Sequence, residues 1–369
     1  MTTVLITGSE GFVGRNLRAA LAPRSDLRLL LYDIGNDPAD LERFLGEADV
    51  IVHLAGVNRP KDPAAFTTGN VGLTETMVET LRQLGRAPKI VFSSSIQAAL
   101  DNPYGRSKRQ AEDLLQRYAE DTGAEVVVYR FPNLFGKWSR PHYNSVVATF
   151  CSQIARDEPI TISDPAHPLE LAYIADVVEA LVGEIDEQGE AGFRFGQVPP
   201  IGAITLGELA NLIRSFRSLR SEPVLPPLDR FKRALYATYL SYLPTDAFAY
   251  ELPPRADQRG VLAEFIKSEP FGQIFVSRTK PGITRGDHYH HTKTEKFLVL
   301  EGQAAIRFRH ILDEEIITYH VAGTELKVLD IPPGYTHNIT NVGDSELVVL
   351  FWASEIFDPE QPDTYYEAV

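Results

Sequence analysis

The glycine-rich stretch near the amino terminus constrains the fold of this chain most. "TGSEGFVG" directly follows the apolar run "TTVLI" and opens a helical segment, with Gly8, Gly11 and Gly14 spaced three apart. A strand that turns tightly into a helix brings backbone N–H groups and the positive end of the helix dipole to one point, where a pyrophosphate can bind. In this strand–turn–helix context, the stretch predicts a dinucleotide-binding unit rather than a turn without a ligand.

The first two-thirds of the chain alternates apolar runs with amphipathic segments. Near-continuous apolar runs are typical of strands covered on both faces. They are "TTVLITG", "LRLLLYD", "DVIVHLAG", "KIVFSSS" and "AEVVVYRF". Segments such as "GLTETMVETLRQLG" and "RSKRQAEDLLQRYAEDTG" have the helical pattern between them. This alternation predicts a parallel, doubly wound α/β sheet of the Rossmann type.

The last third of the chain has a different sequence pattern. Proline-rich stretches, "EPVLPPLDRF" and "SYLPTDAFAYELPPRAD", precede short strands separated by glycine, asparagine and proline turns. Those strands are "FGQIFVSRT", "EKFLVLEG", "QAAIRFRH", "EIITYHV", "ELKVLDIP" and "SELVVLFWA". With 369 residues, the chain exceeds the size at which one core usually stops growing. We therefore predict an α/β domain over residues 1–245, a linker over 246–255, and an all-β sandwich or jelly-roll barrel over 256–369.

Composition and charge narrow the class of protein. The formal net charge of −14 argues against nucleic acid and anionic membranes as partners. No apolar stretch is long enough for a membrane span, and Met1 runs straight into a strand, so we expect no signal peptide. The single cysteine, Cys151, fits a reducing compartment and lies on an apolar helical face, which predicts a packing role. We expect a soluble cytoplasmic protein.

Two charged residues bear on the choice of nicotinamide cofactor. Asp33 ends the second predicted strand, where its carboxylate can accept hydrogen bonds from an adenosine ribose and would repel a 2′-phosphate. Arg15 directly follows the glycine turn and can pair with such a phosphate. A solvated surface charge explains either residue equally well, so NADH and NADPH both remain open.

A catalytic pair is predicted in "NPYGRSK". Tyr104 and Lys108 are four residues apart at a helix start and so share one face. A neighbouring ammonium and the nicotinamide charge should lower the pKa of the tyrosine, which could then act as an acid or base near neutral pH. A serine from the upstream "FSSSIQA" can hydrogen-bond the same substrate oxygen.

The stretches "TGSEGFVG", "HLAG", "FSSS", "YGRSK" and "YRFPNLFG" resemble the extended short-chain dehydrogenase/reductase family, which acts mostly on nucleotide sugars. The resemblance implies that Ser95 is the catalytic serine, Tyr104 the proton donor, and Lys108 a ligand of the nicotinamide ribose. It implies that Asn133 reaches the sugar diphosphate. The cofactor-binding positions are then Gly8, Gly11, Phe12, Val13, Gly14, Arg15, Asp33, Leu54, Ala55, Gly56, Asn70, Tyr104 and Lys108. The stretch between Ser95 and Tyr104 is shorter than the family pattern, which suggests a more open substrate mouth.

Near the end of the chain, "GITRGDHYHHTKTEKFLVLEG" and "PPGYTHNITN" match the two motifs of the cupin family in spacing. Alternation along a strand places His288 and His290 on one side, and a neighbouring strand can bring Glu295 and His337 to them. Three imidazoles and a carboxylate suit Zn²⁺ or another borderline divalent ion. Leu326 stands where the second motif usually opens with glycine.

The remaining histidines are predicted to lie outside the metal set. His291 falls on the opposite face of its strand. His310 and His320 lie outside both motifs and are interpreted as surface or barrel residues.

Longer stretches extend the resemblance over nearly the whole chain. They are "HLAGVNRP", "SSSIQAALDNPYGRSK", "FPNLFGKW", "YNSVVATFC", "YLSYLP", "KPGITRGDHYHHTKTEKFLVL" and "FDPEQPDTYY". They are similar to bifunctional enzymes of capsular polysaccharide synthesis and their O-antigen relatives, in which a reductase is fused to a cupin. The resemblance implies a homodimer that uses NADPH, although Asp33 keeps NADH open.

The implied reaction has two steps on a UDP-linked 2-acetamido-2,6-dideoxy-4-hexulose. The cupin epimerises C3, and the reductase then reduces the C4 ketone to give UDP-N-acetyl-6-deoxy-L-talosamine, a precursor of UDP-N-acetyl-L-fucosamine. Candidates for the C3 base are Lys296, Tyr335 and His337, although packing explains the first two as well. The metal either polarises the ketone or braces the barrel. One alternative is a single-function reductase with a non-catalytic cupin for dimerisation or sugar binding. Another is the same pair of reactions on a dTDP sugar.

Overall fold

The structure is a computed structural model that describes residues 1–58, 62, 66–220, 228–251, 255–257, 260–262, 272–355 and 358–369. The chain falls into two compact units. The first consists of Met1–Leu134, Trp138–Ser145 and Glu170–Ala203, and the second of Phe135–Lys137, Val146–Leu169 and Ile204–Val369. Within the described ranges, every helix is too short or too polar to cross a membrane.

The first unit is built on a six-stranded, wholly parallel sheet with the order β2-β1-β3-β4-β5-β8. Its strands are β1 (Thr2–Thr7), β2 (Leu27–Tyr32), β3 (Val50–His53), β4 (Lys89–Ser95), β5 (Glu125–Phe131) and β8 (Gly192–Gly196). The first five are the apolar runs that the sequence predicted. The predicted Rossmann-type sheet is therefore confirmed.

Helices cover both faces of this sheet. They are α1 (Phe12–Leu21), α2 (Pro38–Glu47), α3 (Leu73–Gln83), α4 (Pro103–Thr122) and α6 (Ile174–Asp186), with a π-helical turn at Thr67–Gly72 and a 3₁₀ turn at Ile96–Ala99. Helix α4 begins at a strong start signal, because the Asn102 side chain accepts from the N–H of Gly105 at 2.8 Å and proline follows the cap. It ends at Gly123, whose φ of 72° is the left-handed conformation that glycine adopts easily. Buried side chains of α2, α3 and α4 form one core with the strands.

In its described ranges, the second unit contains the helices α5 (Val146–Ala155), α7 (Leu206–Ser218) and α8 (Arg230–Leu240) and a 3₁₀ turn at Thr245–Ala247. Helix α7 starts with a capping box between Thr205 and Glu208. Cys151 on α5 is fully buried, and burial raises the pKa of its thiol. The predicted packing role of Cys151 is therefore confirmed.

Two five-stranded antiparallel sheets make up the β part of the second unit, with the orders β10-β18-β15-β20-β13 and β17-β16-β19-β14-β21. The first contains β10 (Ala249–Glu251), β13 (Gln273–Thr279), β15 (Glu295–Glu301), β18 (Lys327–Ile331) and β20 (Leu347–Ala353). The second contains β14 (Thr284–Tyr289), β16 (Gln303–His310), β17 (Ile316–Ala322), β19 (Tyr335–Asn341) and β21 (Tyr365–Tyr366). The predicted change from parallel α/β to antiparallel all-β structure is confirmed.

The remaining strands form two smaller sheets. β11 (Arg255–Asp257) and β12 (Gly260–Leu262) form a hairpin, and β6 (Asn133–Phe135), β7 (Pro168–Tyr173) and β9 (Gly202–Thr205) form a three-stranded sheet. Strand β10 pairs with β18 although it falls in the predicted linker. The domain bounds of 1–245 and 256–369 stay a prediction.

A buried ion pair crosses the first β-sheet of the second unit. Lys296 and Asp330 face each other in the register of β15 and β18, and both are buried. The Lys296 ammonium donates to Asp330 Oδ1, and to the Tyr250 hydroxyl at 2.9 Å. Burial opposes the charge on Lys296, but the Asp330 carboxylate outweighs it and holds the pKa of the lysine well above its usual value.

Removing one partner of this pair should destabilise the second unit strongly. We expect Asp330→Ala to lower the free energy of unfolding by about 3–5 kcal/mol, because it leaves a buried ammonium unpaired. Adding Lys296→Met should restore most of the loss. The chain has two tryptophans, so a Trp138→Phe background leaves buried Trp352, opposite Lys296, as the fluorescent reporter in urea unfolding. A double variant no more stable than Asp330→Ala would contradict this account.

Candidate functional site

At two positions of the glycine turn in the first unit, the backbone leaves no room for a side chain. Gly8 has a φ of 68°, and a Cβ there would lie 2.7 Å from the backbone nitrogen of Ala55. A Cβ on Gly14 would lie 2.2 Å from the carbonyl oxygen of Gly8. Helix α1 starts immediately after Gly11, and this cap residue has no side chain that could bond the first N–H groups. Those groups are therefore suited to bind an anion.

The two residues weighed for cofactor choice both lie close to this turn. One oxygen of the Asp33 carboxylate accepts from the N–H of Glu10 at 2.7 Å, and the other from the N–H of Ile34 at 2.8 Å. The guanidinium of Arg15 lies 5.9 Å from the centre of the Trp138 ring. A carboxylate and a guanidinium thus border the turn, and the preference for NADH or NADPH stays a prediction.

Asn70 connects the loop after β3 to the helix that carries the predicted catalytic tyrosine. Its side chain is buried and holds Val57 through both backbone groups, accepting from N–H at 2.7 Å and donating to the carbonyl at 3.1 Å. It also donates to Ser107 Oγ at 2.9 Å, and Ser107 donates to the Tyr104 carbonyl at 2.8 Å. The resemblance implied a cofactor-binding position at Asn70, whereas Ser107 was not predicted.

Gly56 lies between the two polar side chains of this region. A Cβ on Gly56 would lie 3.0 Å from Asn70 Oδ1 and 3.1 Å from Lys108 Nζ. The predicted segment of Leu54, Ala55 and Gly56 therefore approaches both the glycine turn and Lys108.

Tyr104 lies in the first turn of α4. Burial raises the pKa of Tyr104 to about 12, and the nearby Ser95 side chain offsets only part of this rise. The sequence argument expected a lowered pKa and was wrong for the protein alone. The Lys108 ammonium, which should have lowered it, donates instead to the Ser93 carbonyl at 2.9 Å and lies over the Phe92 ring. Tyr104 therefore keeps its proton at neutral pH and is suited to donate it.

Lys108 is buried, which lowers its pKa to about 8. Its ammonium therefore remains mostly charged at neutral pH.

The described contacts of three further predicted residues do not test the roles predicted for them. Phe12 and Val13 are half-buried at the start of α1, and Asn133 is exposed at the first position of β6.

The four predicted metal ligands meet in the second unit. One nitrogen from each of His288, His290 and His337 and one oxygen of Glu295 all lie within 4.8 Å of one another. The Nε2 atoms of His290 and His337 are 3.3 and 3.4 Å from Glu295 Oε2. His288 belongs to β14, Glu295 begins β15, and His337 belongs to β19, so both β-sheets contribute to this cluster.

The protonation of the rings shows what the cluster can hold. Burial lowers the pKa of His337 and, to about 4, that of His288, so these rings are neutral at pH 7. Nδ1 of His290 lies 2.7 Å from the Asp363 carbonyl and Nδ1 of His337 lies 3.3 Å from the Tyr335 carbonyl. A carbonyl only accepts, so both Nδ1 atoms carry a proton, and on the neutral His337 ring the Nε2 lone pair faces the Glu295 carboxylate.

Among the described residues, the Nε2 atoms of His290 and His337 are buried and have no hydrogen-bond partner. Acceptor therefore faces acceptor inside the unit, an arrangement that a shared cation satisfies. Neutral imidazoles and a carboxylate are also the donors that Zn²⁺ takes. The residues present thus fit a divalent ion.

The other histidines have different surroundings. His291 Nδ1 lies 3.1 Å from Lys137 Nζ, and the ring packs against Tyr365. His310 packs edge-on against Tyr335, and His320 is exposed. Within the described part of the chain, none of these three joins the four-residue cluster.

Leu326 keeps the backbone that a glycine would adopt in the cupin pattern. Its φ is 49°, in the left-handed region, just before β18. The leucine therefore preserves the turn at the cost of a conformation that side chains rarely adopt.

The aromatic surroundings of the cluster were not predicted. The rings of Phe297 and Phe308 lie 5.8 and 6.4 Å from the His337 ring, and Phe248 lies 5.2 Å from Tyr335. Phe297 follows Glu295 by two residues on β15, so strand alternation could have predicted that it lies on the same face as Glu295. Asp363, which contacts His290, gave no such signal.

Comparisons with known proteins place the chain in a family. Residues 4–192 match the model of the NAD dependent epimerase/dehydratase family. The chain belongs to this family. Residues 255–365 match a second model, described as a polysaccharide biosynthesis C-terminal domain.

Two relatives resemble the chain over almost its full length. A UDP-2-acetamido-2,6-beta-L-arabino-hexul-4-ose reductase of Pseudomonas aeruginosa is 45% identical over 98% of this chain and 97% of its own. The crystal structure of the capsular polysaccharide assembling protein CapF from Staphylococcus aureus is 48% identical, covers 99% of this chain and 100% of its own, and has a TM-score of 0.67. The resemblance to enzymes of capsular polysaccharide synthesis is confirmed.

A more distant structure supports the fold of the first two-thirds. A UDP-glucuronic acid 4-epimerase from Bacillus cereus, solved with UDP-glucuronic acid and NAD, is 19% identical, with a TM-score of 0.54. It covers 59% of this chain and 83% of its own. At this identity the likeness concerns the fold alone.

The glycine turn can be tested with one methyl group. We expect Gly14→Ala to weaken nicotinamide cofactor binding at least about tenfold, about 1.4 kcal/mol, because the new Cβ displaces the Gly8 carbonyl. Isothermal titration with NADH and with NADPH measures this loss. The matched control is Gly183→Ala in α6, where the Cβ meets open space and binding should not change. Unchanged affinity in Gly14→Ala would refute the predicted site.

Proposed function

We propose that this protein is a bifunctional nucleotide-sugar enzyme that epimerises C3 and reduces the C4 ketone of UDP-2-acetamido-2,6-dideoxy-4-hexulose. The product is UDP-N-acetyl-6-deoxy-L-talosamine, on the route to UDP-N-acetyl-L-fucosamine for a capsule or O-antigen. The observation that carries the reductase is the protonated Tyr104 phenol near Ser95, with Lys108 one helical turn further along α4. The reductase named among the relatives supports the substrate class.

The reductive step needs a proton donor beside the C4 oxygen. NADPH, or NADH in its place, supplies the electron pair and the hydrogen that reach C4. Tyr104 donates its proton to that oxygen as negative charge develops, and Ser95 orients the same oxygen by a hydrogen bond. Lys108 binds the nicotinamide ribose, and its positive charge lowers the cost of an ionised tyrosine. Asn133 holds the sugar diphosphate.

The metal centre consists of His288, His290, Glu295 and His337. The neutral imidazoles and the unpartnered Nε2 atoms support Zn²⁺ or another divalent ion as its occupant. Such an ion polarises a ketone and stabilises the negative charge that develops when a neighbouring proton leaves.

Epimerisation at C3 must precede reduction. The C3 proton is acidic because the C4 ketone is adjacent, and reduction removes this ketone. Of the three candidate bases, Lys296 is held protonated by Asp330, and His337 is a ligand of the proposed metal through Nε2 while its Nδ1 lies against the Tyr335 carbonyl. Tyr335 remains the candidate by elimination: its ring packs against Phe248 and His310 on the strand that carries His337, and burial raises the pKa of its phenol.

The two reactions should separate by substitution. We expect Tyr104→Phe to lower the reduction rate by about 10²–10⁴-fold, because the proton donor is lost, while solvent deuterium still enters C3 of the ketosugar. The reciprocal control, His337→Gln, should stop exchange at C3 and still reduce a ketosugar that is already epimerised. NADPH oxidation and NMR of the sugar in D₂O measure the two activities.

Two outcomes would change this assignment. Loss of both activities in either variant would argue against separate sites. If His337→Gln still converted the unepimerised ketosugar to the final product, the β part would be a non-catalytic dimerisation or sugar-binding module. A homodimer is also part of the proposal, by resemblance alone.

A further inference from the structure

Two imidazoles of the cluster obtain their carbonyl acceptors in different ways. Nδ1 of His337 lies 3.3 Å from the carbonyl of Tyr335, two residues earlier on the same strand. His290 lies one residue beyond the end of β14, and its Nδ1 bonds to the carbonyl of Asp363, 73 positions away. The orientation of His290 therefore depends on a distant segment of the chain.

Asp363 is fixed in place by its own side chain. Its Oδ1 accepts from the N–H of His291 at 2.9 Å, and its Oδ2 accepts from the N–H of Thr292 at 2.8 Å and from that of Lys293 at 2.7 Å. The Thr292 hydroxyl donates the fourth hydrogen bond of the carboxylate, to Oδ2 at 2.7 Å. Because the carboxylate caps the turn directly after His290, the carbonyl of the same residue is held against the His290 ring.

The backbone of Asp363 adopts an uncommon conformation at this point. Its φ is 36°, in the left-handed region that few residues other than glycine enter, although aspartate tolerates it better than most. The four hydrogen bonds of its carboxylate compensate for this conformation. The left-handed turn allows one residue to direct its carbonyl to His290 and its carboxylate to the following loop.

The neighbours of Asp363 contact the same part of the chain. Lys293 Nζ donates to the Pro362 carbonyl at 3.1 Å and to Thr364 Oγ1 at 2.8 Å. Tyr365 and Tyr366 form β21, which pairs with Tyr289 and His288 on β14. The segment Pro362–Tyr366, here called the carboxy-terminal clamp, thus holds the strand and loop that carry two of the four cluster residues.

We propose that the carboxy-terminal clamp is a positioning element of the metal centre, and that Asp363 sets the tautomer and orientation of His290. This inference rests on the proposed metal site. An acceptor at Nδ1 places the proton there, leaves the Nε2 lone pair for the metal and raises its basicity. Loss of such a partner typically costs about 10–100-fold in metal affinity.

Metal affinity is the first test. The full-length metal-free protein is titrated with Co²⁺, followed by its visible absorption, and with Zn²⁺ in competition with a chelator. We expect Asp363→Asn and Asp363→Ala to weaken binding about 10–100-fold. The control is Asp358→Asn in the same segment, where the carboxylate accepts only from the nearby N–H of Glu360 in the described contacts and binding should not change.

The tautomer of His290 is the second test. In the ¹⁵N-labelled metal-free protein, NMR should show the proton on Nδ1 of His290, and Asp363→Ala should shift its nitrogen signals toward a mixture of tautomers. His337 should keep its signals, because its carbonyl acceptor is local. A purely structural role for Asp363 would lower the melting temperature without changing the tautomer or the metal affinity of the folded protein.

The outcomes distinguish this inference from the proposed function. If the unmodified protein binds no divalent metal, the proposed metal site and this inference fail together. If it binds metal and both Asp363 variants bind equally well with an unchanged His290 signal, the inference fails and the metal site stands. Should Asp363→Ala not fold, the affinity and NMR spectrum of Asp363→Asn, which keeps the size of the side chain, decide the question.

Discussion

The second unit buries the Glu295 carboxylate against imidazole nitrogens that have no hydrogen-bond partner among the described residues, an arrangement that a cation would satisfy. Burying an unpartnered polar atom costs free energy, and a buried charge without a partner costs more. Glu295 faces the Nε2 atoms of His290 and His337 at 3.3 and 3.4 Å, and their Nδ1 atoms are already committed to carbonyls. Strands of both antiparallel sheets supply these side chains, so formation of the cluster depends on the pairing of the whole β structure.

In the first unit, burial sets the protonation states of two predicted catalytic groups, Tyr104 and Lys108. It raises the pKa of Tyr104 to about 12 and so keeps the phenol protonated, which a reductive step requires. It lowers the pKa of Lys108 to about 8, which still leaves the ammonium mostly charged at neutral pH. Two titratable groups on one helix face thus keep the protonation states that reduction of a ketone needs.

Much of the fold and of both sites could be predicted from the sequence. Near-continuous apolar runs predicted β1 to β5 because buried parallel strands need apolar residues on both faces. Three local features could be predicted from sequence periodicity and motif spacing. They are the glycine turn, the spacing of Tyr104 and Lys108, and the spacing of the histidines. Leu326 adopts a left-handed backbone with a φ of 49° at the position where the sequence motif usually has glycine.

What could not be predicted depends on contacts between distant parts of the chain. The pKa of Tyr104 is raised rather than lowered because the phenol is buried, and the sequence reveals neither this burial nor the direction of Lys108 toward the Ser93 carbonyl. The Lys296–Asp330 pair depends on the register of β15 and β18. Asp363 reaches His290 across 73 positions, and no local pattern indicates such a contact.

Anomalous X-ray diffraction from crystals grown with Zn²⁺ tests the central claim most directly. The account predicts one strong peak among His288, His290, Glu295 and His337, at about 2.0–2.2 Å from the ligand nitrogen and oxygen atoms. A map without a peak at these residues, or with the imidazoles turned apart in separate directions, would contradict it.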